Sequence, residues 1–142
     1  MTGVEELRQL IGRQGEPVVV EVERGMLRRI AEAIEDPNPL WQDEEFARRT
    51  RFGGVIAPPA FFFTAFTSGA YVPVPKPSER VVAGGGEWEF YLPVRPGDVI
   101  TTTSRFAGVL KKKKGVLLVF EFTHRNQKDE LVGQSRTSLI SY

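Results

Sequence analysis

The sequence predicts an α+β domain in which one antiparallel sheet wraps around one long buried helix. Three observations carry that expectation. Residues 60–70 are apolar on nearly every side, with Phe61, Phe62, Phe63, Ala65 and Phe66, and a helix apolar all round is a buried one. From residue 80 onward the chain reads as strands separated by turn signals. Before residue 60 it offers only short helical patterns and one short strand, too little to build a second layer.

In chain order, Val4, Leu7, Leu10 and Ile11 recur at helical spacing and predict a short helix stopped near Gly12. Pro17 to Val22 reads as a short strand. From Met26 to Ile34 the apolar residues Met26, Leu27, Ile30, Ala31 and Ile34 share one face, while Arg28, Arg29, Glu32 and Glu35 take the other. Pro37 ends that helix, because the residue before a proline is pushed out of the α region. One or two helical turns are expected over Gln42 to Thr50, with Phe46 and Ala47 facing inward. Pro58-Pro59 suits the start of the buried helix, where a missing N–H does least harm. Tyr71 to Ser78, with three prolines, is a stiff extended loop. Arg80 to Leu92 is a strand crossing Gly84-Gly85-Gly86, which marks a bulge or a close backbone approach. Val99 to Leu110 is a long strand, Lys111 to Gly115 a hairpin turn, and Val116 to His124 a strand apolar on both faces, hence central. Asn126 to Glu130 turns the chain into the last strand, Leu131 to Tyr142. A sheet curled around a single helix is the hot-dog arrangement, and its poorly covered edge predicts association with a second subunit.

Composition narrows the function. The chain has 142 residues, 41% hydrophobic and 26% charged, and reads as one domain over residues 1–142. A net charge of +1 gives no reason to expect nucleic acid or an anionic membrane as partner. Cysteine is absent, which removes disulfides and thiolate ligands, and one histidine, His124, is too few for a multi-histidine zinc site. No metal or redox cofactor is expected. The charged N-terminus lacks the apolar run of a signal peptide, and no run approaches the roughly 18 apolar residues of a membrane span, so a cytoplasmic location is expected.

The stretch DPNPLWQD followed by GGVIAPP resembles the MaoC-like acyl dehydratases and (R)-specific enoyl-CoA hydratases, which are hot-dog proteins. GGGEWEFYLPVRPGDVI and ELVGQSRTSLISY are similar to the same family, so the likeness covers nearly the whole chain. It is nearest to the N-terminal "blank" half of such enzymes, the FAS1-like dehydratase domain, which pairs with an active hot dog in one chain or as a separate subunit. In active members the resemblance implies Asp-x-Asn-Pro-x-His, then Ala-His-Gly at the start of the central helix. There the Asp and His handle water and protons, and the Gly N–H polarises the thioester carbonyl.

Here Asp36, Asn38 and Pro39 match the first motif, but Trp41 stands at the His position, and an indole has no basic nitrogen. Ala57-Pro58-Pro59 stands at Ala-His-Gly, and Pro59 has no N–H to offer. One lost oxyanion donor alone costs about 2.7–4 kcal/mol of barrier. The resemblance therefore implies a non-catalytic subunit whose partner hot dog carries the Asp/His pair, in a heterodimer or heterotetramer, or a homodimer when alone. The substrate would be an acyl thioester on coenzyme A or acyl-carrier protein, with Asn38, Trp41, Ala57, Pro58 and Phe62 as candidate contacts. Asp36 is the one surviving catalytic position, and it also reads as a turn residue before Pro37. Asn38 equally fits an Asx-turn. Trp41 could line an acyl or sterol pocket or fill the hole left by the histidine. The phenylalanines from 61 to 66 suit core packing. His124 shares strand parity with Phe120 and Phe122 and suits a structural role. Lys111 to Lys114 could meet a coenzyme A phosphate or an acyl-carrier protein, or be a solvated hairpin tip. Two other functions remain open: a self-sufficient homodimeric hydratase or Asp-dependent thioesterase, and a non-enzymatic acyl- or sterol-binding protein.

Overall fold

The computed structural model describes residues 3–67 and 69–142. Five antiparallel strands form one sheet in the order β1-β3-β4-β5-β2, with β1 at Val18–Glu21, β2 at Val81–Phe90, β3 at Val99–Lys112, β4 at Gly115–Arg125 and β5 at Leu131–Ser141. The strand apolar on both faces, β4, takes the centre as expected. Its inner face carries Leu118, Phe120, Phe122 and His124, all buried. β1 and β2 are the edges. The glycine run in β2 does hold a bulge, where pairing slips between Ala83 and Gly85, and Gly85 takes a φ of 137°, a conformation few other residues tolerate.

Helix α1 spans Val4–Arg8, α2 spans Arg24–Ala33 and α3 spans Glu44–Arg48, close to the segments their periodicity predicts. α2 presses Leu27 and Ala31 inward, and its C-terminus closes with Glu35 in the left-handed region, at φ 53°. Asp36 N–H then reaches back to the Ala31 carbonyl at 2.9 Å, the Schellman closure that usually takes glycine. This turn aims Asp36 at the segment that follows.

Two local expectations need correction. In α3 Ala47 is buried but Phe46 is 44% exposed, because a helix of five residues can present only a narrow face to the core. The central apolar segment is shorter and less enclosed than its composition suggests. Residues 60–61 are α-helical and Phe62–Phe66 form a π-helical turn. Phe61, Phe62 and Phe66 pack on the sheet, whereas Phe63 is 56% exposed and meets Trp88 of β2 edge-on, with ring centroids 5.5 Å apart. Thr64 and Thr67 turn their hydroxyls back onto the carbonyls of Ala60 and Phe63 at 3.2 and 2.6 Å, a pattern that competes with regular helical bonding. The wider turn lets Phe62 lie directly over Gly133, where a Cβ would come within 2.7 Å of its ring.

Candidate functional site

The turn after α2 and the start of the central segment meet at one end of the sheet. Asn38 caps a short 3₁₀ turn, Pro39–Trp41, by accepting Leu40 N–H at 3.0 Å. Leu40 in turn accepts Ile56 N–H at 3.3 Å, and Ala57 donates to the Val94 carbonyl at 2.7 Å. The Arg95 guanidinium donates to the Phe52 carbonyl, and the Arg95 N–H donates to Asp98 at 2.8 Å. Three loops are thereby fastened together, around residues 36–42, 51–59 and 90–98.

Between them lies a cavity of about 370 Å³. Trp41, Ala57, Pro59 and Phe62 line it, joined by Leu40, Ile56, Arg51 and Phe52, and by the run Phe90 to Val94. Asp36, Asn38 and Pro58 lie outside that lining. Pro58 is buried, and Asn38 is exposed with its side-chain oxygen committed to the cap.

Both oxygens of the Asp36 carboxylate are occupied. Oδ1 accepts the Asn38 backbone N–H at 3.1 Å, and Oδ2 accepts the Trp41 indole N–H at 2.9 Å. Trp41, 9% exposed, packs with Ala31 and Ile56 while its ring nitrogen stays bound to the aspartate. The tryptophan does more than fill space: it ties down the carboxylate. At the start of the central segment Pro58 and Pro59 have no N–H to donate.

Among the described residues, no carboxylate or imidazole lines the cavity. Its one titratable acid is the Tyr91 phenol, which donates to Glu89 at 2.5 Å. That hydrogen bond, with desolvation adding to it, pushes the phenol above its ordinary 10.0 and keeps it protonated. Arg51, its guanidinium 4.8 Å from the centre of the Phe52 ring, is the only cation in the lining. Sequence reasoning missed Arg51, Phe52 and the run from Phe90 to Val94. The signal available was three consecutive large apolar residues at a strand end, Phe90, Tyr91 and Leu92, all substantially exposed.

His124 lies elsewhere. It is fully buried on the inner face of β4, with Nδ1 2.8 Å from Thr102 Oγ1 and Nε2 without a protein partner. The rings of Phe62 and Phe66 flank it at 5.3 and 5.7 Å. Burial pushes its pKa down to about 4, so it is neutral at physiological pH. Among the described residues no cluster of His, Asp or Glu could hold a metal ion, and no helix is long and apolar enough to cross a membrane.

Sheet order, central segment and site layout define a hot-dog protein of the MaoC-like dehydratase class. Within it the chain belongs to the family described as FAS1-like, dehydratase domain region, which matches residues 9–135. It is 32% identical over 139 residues to a UPF0336 protein of Thermobifida fusca, covering 94% of this chain and 91% of that one. It is 30% identical over 140 residues to a probable enoyl-CoA hydratase alpha subunit of Thermomonospora curvata, covering 82% of this chain but 44% of that longer one. Among solved structures it is similar to the HadBC (3R-hydroxyacyl-ACP dehydratase) complex of Mycobacterium tuberculosis, with a TM-score of 0.76 at 22% identity, covering 93% of this chain and 97% of that one.

Proposed function

We propose that this chain is the non-catalytic subunit of a heteromeric enoyl-thioester hydratase or 3-hydroxyacyl-thioester dehydratase. The observation that carries the reading is the Asp36 carboxylate, closed off by Asn38 N–H and Trp41 Nε1 beside a cavity that contains no base. A second hot-dog subunit supplies the Asp/His pair and the N–H that polarises the carbonyl. This chain supplies half of the paired fold and an apolar wall, with Trp41, Ala57 and Phe62 facing the acyl group. A cavity of this size and apolar character is typical of small-ligand sites. The reaction is addition or loss of water across the α,β bond of an acyl thioester, in the cytoplasm, with acid–base groups alone and no resident cofactor. The similarity to a hydratase alpha subunit and to a dehydratase complex supports the need for a partner.

The test is to purify the chain alone and together with a hot-dog subunit bearing Asp-x-Asn-Pro-x-His, then follow hydration of crotonyl-CoA and longer enoyl-CoA. Turnover is expected from the complex and not from the lone chain. Turnover by the lone chain that disappears in Asp36→Asn overturns the reading in favour of a self-sufficient hydratase. Release of free thiol would assign it instead to thioester hydrolysis. A co-purifying acyl or sterol ligand, with no turnover beside any partner, would make it a binding protein.

A further inference from the structure

A second cavity, of about 490 Å³, lies on the inner face of the sheet beside the one assigned to the acyl group. Phe63, Thr64 and Thr67 of the central segment line one side of it, and Ala83, Gly86 and Trp88 of β2 line another. Among the described residues the two cavities share no lining side chain. Near neighbours in the chain divide them. In the central segment Phe62 lines the first cavity and Phe63 the second. On β2, Phe90 lines the first and Trp88 the second, two positions apart on one face of the strand and so roughly 7 Å from each other. The four rings close into two edge-on pairs, Phe62 with Phe90 at 5.1 Å between centroids and Phe63 with Trp88 at 5.5 Å. Each pair reaches from the central segment to the edge strand, and together they form a partition between the cavities.

Trp88 keeps its place because Gly86, its neighbour on that face of β2, has no side chain: a Cβ there would collide with the indole. Polar atoms back the partition. Trp88 Nε1 and Ser135 Oγ, on residues paired across β2 and β5, are buried without a hydrogen-bond partner among the described residues. An alkyl tail lodged between the rings would seal methylenes against both, which is costly. We infer that this partition sets the length of the acyl group: a short acyl chain ends against Phe62 and Phe90, and Phe63 with Trp88 keeps a longer one out of the second cavity. The inference rests on the functional reading above and names its substrate class, short-chain acyl thioesters. An apolar pocket discriminates by about tenfold or more for each methylene it has no room to place.

The experiment measures kcat/KM of the complex of this chain with its catalytic partner for crotonyl-, octenoyl-, dodecenoyl- and hexadecenoyl-CoA. The parent is expected to favour octenoyl-CoA over hexadecenoyl-CoA by about tenfold or more. In Trp88→Ala, which joins the two cavities, that preference should shrink by about tenfold, and Phe63→Ala should move it in the same direction. Trp88→Phe keeps a ring in the partition and should leave the preference near that of the parent. Phe63 is more than half exposed, so its truncation reads the partition even if Trp88→Ala disturbs folding. Equal or better use of hexadecenoyl-CoA by the parent complex overturns the inference. So does a preference that neither alanine variant changes. If no enoyl-CoA of any length is hydrated, the functional reading fails, and calorimetric titration with octanoyl-CoA and hexadecanoyl-CoA decides the partition by the same ratios.

Discussion

Two hydrogen-bonded pairs of nearly equal length, Asp36 with Trp41 at 2.9 Å and Thr102 with His124 at 2.8 Å, sit in opposite settings. The first stands at the end of the sheet beside an open cavity and holds the Asp36 carboxylate. The second is sealed in the core beneath Phe62 and Phe66 and holds the chain's only imidazole. A proton-handling site needs both groups in one place with access to a ligand. Here the imidazole is walled off by aromatic rings, and the carboxylate is bonded to a donor that cannot release a proton at neutral pH. The difference is one of placement: the carboxylate and the imidazole are held apart, each bonded to a neighbour of its own.

The sharpest way to break this contrast is to remove the indole. Trp41→Ala takes a buried aromatic from beside Ala31 and Ile56 and leaves Asp36 one donor short. The expected loss of folding stability is about 3–5 kcal/mol, read by urea titration. Trp41→Phe keeps most of the packing and should lose only the hydrogen bond, roughly 1.5–3 kcal/mol for a charged acceptor. If Trp41→Phe is as stable as the parent, the indole N–H contributes nothing and the pair is incidental.

The second test addresses the buried pair through pH. His124 has a folded pKa depressed to about 4 against an ordinary 6.5. The unfolded chain therefore takes up a proton near pH 6.5, while the folded chain refuses it until much lower pH. Stability from this residue is complete above pH 6.5 and is lost as pH falls toward 4. At about 1.4 kcal/mol per pK unit, the total approaches roughly 3 kcal/mol. Comparing stability at pH 7 and pH 4 in the parent and in His124→Leu should show a steeper fall in the parent. Parallel curves would mean that the imidazole titrates in the fold as it does in the unfolded chain.

The sheet was legible in the sequence because strand parity and burial are direct readouts of residue order. The apolar character of Val116 to His124 on both faces put that strand in the centre, and the inward side of His124 followed from its parity with Phe120 and Phe122. The glycine run announced its bulge. The central segment was less legible, since apolar composition does not reveal a π-helical turn or which phenylalanine is left facing a sheet edge. At the site, the motif positions Asp36, Trp41 and Pro59 were visible, but not the bond between the first two. That bond depends on Glu35 adopting a left-handed conformation that aims the turn, in a residue type that rarely takes it. The cavity wall from Phe90 to Val94 and the aromatic partition beside it depend on register and loop docking between distant segments, which no local pattern encodes.

The smallest expected effect falls on Asp36 itself. In Asp36→Asn the amide oxygen can still accept from Trp41 Nε1 or from Asn38 N–H, but with no formal charge and only one carbonyl oxygen to share between them. A loss of about 1 kcal/mol in stability is expected. In the reconstituted complex, turnover of enoyl-CoA should change by no more than twofold, because each carboxylate oxygen is already engaged by a donor of this chain. A drop of a hundredfold or more with stability intact would mean that Trp41 lets go of the carboxylate when substrate enters. The two pairs would then differ in what opens them, and the aspartate would have to be counted among the groups that move the proton.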